Sequence, residues 1–149
     1  MEKLTLCFDM DGTLADFYGQ NGWLADLLAD KTTPYENAKP LFNFSTFARI
    51  IHKLQARGYK FVIVSCTSKG GSEDFNSRVK TAKERWLRKH LPSVVWDAIY
   101  IIDYECPKVS IVSSPSILFD DEERHRKAWQ GIAYDEKEIL EKLKALLAL

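Results

Sequence analysis

Short apolar runs along the chain alternate with segments whose apolar residues recur every three to four positions. Four of the runs have the length and composition of strands, and a weaker fifth follows them; they cover residues 4–8, 60–65, 98–102, 116–119 and 131–134. Near-continuous apolar runs are typical of strands that are buried on both faces of a sheet. The pattern therefore predicts five strands.

Helical periodicities separate these runs. The apolar residues that share a helix face are Phe47, Ile50, Ile51 and Leu54, then Val79, Ala82, Trp86 and Leu87, and finally Ile139, Leu143 and Leu146. Gly58 is a plausible cap after the first of these helices, and Pro92 follows the second. Strands that alternate with helices predict an α/β fold: a three-layer, Rossmann-like parallel sheet with right-handed crossovers and helices on both faces.

Residues 16–45 break this alternation. A short helical pattern runs from Trp23 to Leu28, and Pro34 and Pro40 follow it among aromatic residues. The segment is longer than an ordinary strand-to-helix turn and shorter than a domain. We interpret it as a small cap, inserted after the first strand and lying over the active edge of a single domain formed by residues 1–149. An excursion that serves packing alone is the alternative.

Composition and charge narrow the function classes. The 149 residues are 46% hydrophobic and 28% charged, as expected of one compact domain. Lys and Arg (21) balance Asp and Glu (21), so neither nucleic acid nor a membrane is an expected partner. We expect no membrane span and no signal peptide. Cys7, Cys66 and Cys106 lack metal-ligand spacing, which favours buried, reduced thiols and a cytoplasmic protein.

Polar residues follow successive predicted strands. The set consists of Asp9 and Asp11 after the first strand, Ser65 and Thr67 after the second, Lys108 beyond the third, and Asp120 and Asp121 after the fourth. Ligands of open parallel sheets bind at the carboxyl ends of the strands, where these side chains would meet. Clustered carboxylates repel one another, so we expect positive charge beside them.

These residues also carry a family resemblance. The stretch DMDGT (9–13) resembles the first motif, DxDx[TV], of the haloacid dehalogenase (HAD) superfamily of phosphohydrolases. GYKFVIVS (58–65) and ILFDD (117–121) resemble its second and fourth motifs, and Lys108 is a looser match to the third. The longer stretch DMDGTLADF (9–17) is similar to the 5'(3')-deoxyribonucleotidase branch, in particular its small bacterial and phage members. Those enzymes have a longer cap than residues 16–45 would form.

The resemblance implies a Mg²⁺-dependent phosphomonoesterase that works through an aspartyl-phosphate intermediate. Asp9 would be the nucleophile, and Asp11 would act first as general acid and then as general base. The metal ligands would be the Asp9 carboxylate, the Asp11 backbone carbonyl and Asp121, with Asp120 beside them or sharing the role. A small phosphorylated metabolite, in particular a nucleoside monophosphate, is the implied substrate.

The remaining roles concern the phosphate. Ser65 is our preferred hydroxyl for a phosphate oxygen, and Thr67 is the alternative. Lys108 would balance the acids, although an exposed loop lysine is the plainer interpretation. Gly12 permits the sharp turn after Asp11, and Thr13 braces the same loop.

Aromatic residues in or beside the 16–45 segment have two possible roles. Phe17 matches the phenylalanine of the deoxyribonucleotidase motif and is the preferred residue for stacking on a nucleobase. Stacking is also possible for Tyr18, Trp23 and Phe42. For all four residues, packing within the cap is the alternative. We expect the hydrophobic core to include Trp86, Trp96 and Trp129. The three histidines, His52, His90 and His125, are expected to have structural roles.

One predicted helix is strongly basic. It contains Arg78, Lys80, Lys83, Arg85, Arg88 and Lys89. We interpret this pattern as a solvated helix side, with a polynucleotide surface as the alternative. Two other functions therefore stay open: a phosphatase that acts on nucleic-acid ends, and a regulatory module that binds metal and phosphate without turnover.

Overall fold

The structure, a computed structural model, describes residues 4–113 and 115–149. Its five strands form one parallel sheet in the order β3-β2-β1-β4-β5. The strands are β1 (Thr5–Phe8), β2 (Lys60–Cys66), β3 (Ala98–Ile102), β4 (Ser116–Phe119) and β5 (Ile132–Tyr134). The predicted α/β class and all five predicted strands are therefore confirmed.

The helices connect the strands in chain order. They are α1 (Trp23–Leu28), α2 (Thr33–Asn37), α3 (Phe44–Ala56), α4 (Glu73–His90), α5 (Glu123–Ala128) and α6 (Ile139–Leu147), with 3-10 turns at Lys108–Ser110 and Glu136–Glu138. The three longer predicted helices correspond to α3, α4 and α6, and the short helical pattern predicted from Trp23 to Leu28 corresponds to α1. Helix α5 carries His125, and its six residues, ERHRKA, form no apolar stripe. Gly58, at φ +96°, follows the C-terminal residue of α3 as expected.

Each face of the sheet contributes to a separate core. On one face, Phe8 stacks between Phe61 and Phe119, with ring centroids 5.8 and 5.0 Å apart, and helices α3 and α6 cover it. On the other face, Cys7 and Val64 pack in a smaller cluster with Trp129. Alternating side chains thus bury both faces, which explains the near-continuous apolar runs.

The predicted positions of the other aromatic and thiol groups are mostly confirmed. Trp86 is buried, and Trp96 packs against the larger core. The three cysteines are free thiols, but only Cys7 is fully buried; Cys66 and Cys106 are half-buried because both lie at strand ends or in loops. Across 4–113 and 115–149, the structure contains no helix with the length and apolar composition needed to cross a bilayer.

The 16–45 insertion leaves and rejoins the domain at one point. Ala15 and Pro40 form an antiparallel bridge, and the Asp16 amide donates to the Lys39 carbonyl at 2.8 Å. The insertion consists of the short helices α1 and α2 and their connections. It begins immediately beyond the β1 loop that carries Asp11, and several of its residues line one cavity with Asp9 and Asp11.

Packing holds the insertion against helix α4. Phe17 and Tyr35 form a cluster with Phe75 and Val79 of α4, and their own rings stack with centroids 4.7 Å apart. The pair Phe17 and Tyr35 thereby joins the two ends of the insertion to the helix that follows β2.

Candidate active site

Lys108 joins the carboxylates that follow β1 and β4. Its Nζ atom lies 2.9 Å from Asp9 Oδ1 and 2.7 Å from Asp120 Oδ2, and all three side chains are buried. Strand register explains the meeting, because Phe8 pairs with Phe119 and places the following acids side by side. The two carboxylates outweigh the effect of burial and raise the pKa of Lys108, so the ammonium is charged.

A second lysine, Lys83, lies beside Asp11. Its Nζ atom donates to Asp11 Oδ2 and to Ser65 Oγ, both at 2.8 Å, and to the Cys66 carbonyl at 2.6 Å. The side chain is only 1% exposed. The interpretation of Lys83 as part of a solvated basic side was therefore wrong.

The sequence contains the signal that places Lys83 inward. Lys83 lies four residues after Val79 and four before Leu87, on the stripe that α4 buries. The sequence analysis grouped Lys83 with the other basic residues because of its charge. Its spacing along the helix, however, places it on the apolar face. The other basic residues of α4 are exposed, as predicted.

The loop after β1 is braced by Thr13 and Gly12. Thr13 Oγ1 lies 3.0 Å from Asp9 Oδ2 and 3.1 Å from Asp121 Oδ1, and it accepts a hydrogen bond from the Asp121 amide. Gly12 has φ +82°, and a Cβ atom there would collide with the Asp121 carboxylate. Both residues thus set the spacing between the first acidic loop and the Asp120–Asp121 pair.

Three carboxylates form a cluster that fits a hard metal ion. One oxygen from each of Asp9, Asp120 and Asp121 lies within 4.8 Å of the others. Burial and the repulsion from Asp9 raise the pKa of Asp120 to about 7 and that of Asp121 to about 8. Carboxylate oxygens are the ligands that Mg²⁺ prefers, and a bound cation would relieve this repulsion. The donor set therefore fits Mg²⁺.

Asp120 and Asp121 are not equivalent within this cluster. Asp120 is fully buried, with one oxygen bonded to Lys108 and the other accepting from the Glu122 amide at 3.0 Å. Asp121 is half-buried, and its Oδ1 accepts a hydrogen bond from the Thr13 hydroxyl at 3.1 Å. Asp121 is thus the more available ligand of the two.

The pKa values of Asp9 and Asp11 are shifted in opposite directions. Burial alone would raise the pKa of Asp9, but Lys108, a hydrogen bond with Asp121 and the charge of Lys83 together lower it. At Asp11 burial dominates; Lys83 opposes it only in part, and the charge of Asp9 adds to it, so the pKa is raised. Asp9 is therefore the ionised carboxylate and Asp11 the one that holds a proton more readily, as a nucleophile and a general acid require.

The two candidate hydroxyls after β2 have different surroundings. Ser65 is fully buried, and its Oγ accepts from Lys83. Thr67 lines the cavity above Asp9 and Asp11, and within the described part of the chain no hydrogen-bond partner reaches its buried Oγ1 atom. An unpaired buried hydroxyl that faces a cavity is costly unless a ligand satisfies it. This geometry favours Thr67 as the hydroxyl that meets a ligand and Ser65 as a support for Lys83.

A cavity of about 500 Å³ opens above these groups. Its floor includes Asp9, Asp11 and Lys108, and the 16–45 insertion supplies a largely apolar wall. This volume is within the range of about 300–1,000 Å³ that is common for small-molecule sites. The insertion and the strand-end acids thus share one site.

The aromatic residues of the insertion differ in exposure. Phe17 lines the cavity but is only 3% exposed, because Tyr35 stacks on it and Trp23 packs against it at 5.4 Å between centroids. Tyr18 lines the same cavity and is 47% exposed. Phe42, by contrast, packs against the larger core.

His125 was expected to be structural, yet it lines the cavity. It is 9% exposed, and its Nε2 lies 3.6 Å from Glu122 Oε2. Burial and then the charge of Lys108 lower its pKa to about 4, so the imidazole is neutral at pH 7.

Comparisons with known proteins show distant structural similarity. No protein-family model matches the chain, and no curated protein matches it. The chain is similar to a crystal structure from Mesorhizobium loti of a protein proposed to be a HAD-like phosphatase. The identity is 14% and the TM-score 0.49, and the similarity covers 97% of this chain and 86% of that chain. At this level of similarity, the functional argument depends on the geometry of the chain's own residues.

Proposed function

We propose that this protein is a Mg²⁺-dependent phosphomonoester hydrolase of the HAD superfamily. The observation that carries the proposal is the pair Asp9 and Asp11, each with its own buried lysine and with pKa values shifted in opposite directions. The DMDGT motif supplies both acids. A structural role alone requires neither of them, because buried carboxylates are costly.

The two acids would act in sequence. An oxygen of the Asp9 carboxylate attacks phosphorus and forms an aspartyl-phosphate, while the bond from phosphorus to the leaving oxygen breaks and Asp11 gives that oxygen a proton. A water molecule then attacks phosphorus, Asp11 takes up its proton, and inorganic phosphate leaves with Asp9 restored. The raised pKa of Asp11 suits both steps.

The remaining polar residues of the site would bind the metal ion, orient the two acids and contact the phosphate. Asp9, Asp121 and the Asp11 carbonyl would hold Mg²⁺, which supplies positive charge for the phosphoryl oxygens when it is bound. Lys108 favours the ionised form of Asp9 and orients Asp9 and Asp120, and Lys83 orients the Asp11 side chain. Thr67 Oγ1 would donate to a phosphate oxygen, which satisfies an otherwise unpaired hydroxyl.

We further propose that the substrate is a nucleoside monophosphate, for which the 16–45 insertion acts as a cap. The cavity joins the acidic floor to aromatic residues of the insertion, and the half-exposed Tyr18 ring offers a face for a base. Phe17 would support that surface from behind, because its own ring is nearly covered. The resemblance of residues 9–17 to the deoxyribonucleotidases supports the same substrate class.

A magnesium titration tests the metal site together with the activity. Phosphate release from a deoxynucleoside monophosphate is measured against Mg²⁺ concentration for the wild type, Asp121→Asn and Glu123→Gln. Glu123 is exposed and paired with Lys127, which makes its variant the matched control. We expect Asp121→Asn to raise the half-saturating Mg²⁺ concentration by about 10- to 100-fold or more, the range reported for groups that support metal ligands. Equal titrations for all three proteins would contradict the assignment.

A further inference from the structure

The cavity contains a second charged region apart from its acidic floor. Lys69 Nζ lies 5.7 Å and Arg124 Cζ 4.7 Å from the centroid of the Tyr104 ring, and all three residues line the cavity. We call these three residues the basic rim. Lys69 lies in the loop before α4, Tyr104 in the loop after β3, and Arg124 in helix α5. The fold thus brings two cations and one aromatic ring to the same opening.

The charges of the basic rim are not used by the catalytic acids. Lys108 and Lys83 already pair with Asp9, Asp120 and Asp11. Within residues 4–113 and 115–149, no carboxylate lies at ion-pair distance from Lys69, and Arg124 uses its Nε for Glu122 at 2.7 Å. An arginine has five N–H donors, so the ion pair leaves most of them for a ligand. The rim therefore carries positive charge beyond what the scissile phosphate requires.

We infer that the basic rim binds a second phosphate group of the substrate. This inference rests on the proposed function and makes it more specific: the preferred substrate is a nucleotide that carries another phosphate in addition to the one removed. The base faces the apolar wall of the 16–45 insertion, the scissile phosphate meets Asp9, and the second phosphate accepts hydrogen bonds from Arg124 and Lys69. The Tyr104 ring holds both cations near the opening.

A binding comparison tests the inference without depending on turnover. The Asp11→Asn variant removes the proposed general acid and keeps the phosphate site. Its dissociation constants for deoxyadenosine 5'-monophosphate and deoxyadenosine 3',5'-bisphosphate are measured by calorimetry in the presence of Mg²⁺. We expect the bisphosphate to bind about fivefold more tightly or better. Adding Arg124→Gln or Lys69→Gln should weaken bisphosphate binding about two- to fivefold each, as for partly exposed ion pairs, and leave monophosphate binding unchanged.

Lys127→Gln is the control, because Lys127 is on the same helix α5 and exposed, and it makes the same change in net charge. Equal affinity for the two nucleotides, or equal losses in Lys127→Gln and Arg124→Gln, would overturn the inference. The proposed function is judged separately, by whether the otherwise unaltered protein releases phosphate from either nucleotide. A protein that binds the bisphosphate through Arg124 without hydrolysing it would support the inference and contradict the proposed function.

Discussion

The Lys83 ammonium lies 2.8 Å from the Asp11 carboxylate, in a side chain that is almost completely buried. The same ammonium binds Ser65 and the carbonyl of Cys66 at the end of β2. This one cation therefore fixes the Asp11 side chain relative to the neighbouring strand. It also opposes the increase in the pKa of Asp11 that burial causes.

We predict that Lys83→Met lowers kcat by about 100-fold or more, because general acid–base catalysis is worth about 10²–10⁴-fold when the group is well placed. The loss of the cation should also raise the pKa of Asp11 further. The acidic limb of the pH–rate profile, which reports the ionisation of Asp9, should shift less than the basic limb. Stopped assays across the pH range measure both limbs.

Lys89→Met serves as the comparison for that experiment, because Lys89 lies on the same helix and is exposed. It should leave both kcat and the pH profile close to those of the wild type. A Lys83→Met enzyme with normal kcat would mean that Lys83 serves stability alone.

Two glycines offer a matched pair for the loop after β1. Gly12 and Gly22 both have positive φ, +82° and +75°, but only at Gly12 would a Cβ atom meet another group, the Asp121 carboxylate. Gly22→Ala should cost about 1 kcal/mol of unfolding free energy from backbone strain. Gly12→Ala should cost more and also displace Asp121, with loss of Mg²⁺-dependent activity. Urea unfolding with a parallel activity assay distinguishes the two; similar effects would indicate that the contact with Asp121 is unimportant.

Variants of Tyr18 and Phe17 distinguish a residue that contacts the substrate from one that packs in the fold. Tyr18→Ala should lower kcat/KM for a nucleoside monophosphate by about five- to 150-fold, the equivalent of a stacking contact of about 1–3 kcal/mol. The same variant should affect methyl phosphate less, because that substrate has no ring to stack on Tyr18. Phe17→Ala should instead destabilise the fold by about 3–5 kcal/mol, since a nearly covered ring is removed. If Tyr18→Ala affects both substrates equally, Tyr18 does not contact the base.

His125 gives the stability of the protein a dependence on pH. Its pKa is lowered from 6.5 to about 4, by burial first and by Lys108 second. Between these two values the unfolded chain binds a proton that the folded protein does not, so the stability falls as the pH falls from 7 to 4. His125→Gln should reduce that loss by about 1–3 kcal/mol. Unfolding free energies at pH 7.5 and pH 5 measure the effect.

The fold was predictable largely because its central strands, β1, β2 and β4, are buried on both faces. Continuous apolar runs such as KFVIVS indicate a strand whose two faces are both buried. Each strand lies within about two residues of its predicted limits. Helix α5 carries a much weaker sequence signal. It is short and polar, and it depends on its position after β4 rather than on an apolar stripe.

The site was predictable only as far as the strand ends determine it. Asp9 and Asp120 follow the adjacent strands β1 and β4, so topology brings them together, whereas Lys108 reaches them from the 3-10 turn beyond the edge strand β3. Lys83 and Arg124 reach the site from helices, and their direction depends on helical phase and on tertiary packing. The preference for Ser65 over Thr67 depended on counting residues, whereas the exposure of each hydroxyl to the cavity depends on where β2 ends.

The account depends most of all on Asp9 as the nucleophile, and phosphate release from 4-nitrophenyl phosphate with Mg²⁺ tests that role directly. The wild type should release phosphate, and release should fall to background both in Asp9→Asn and when Mg²⁺ is removed with a chelator. Asp16→Asn provides the control, since Asp16 lies in the same stretch and its carboxylate accepts from the Gly19 amide rather than facing the acidic cluster. An inactive wild type, or an Asp9→Asn enzyme as active as the wild type, would contradict the account.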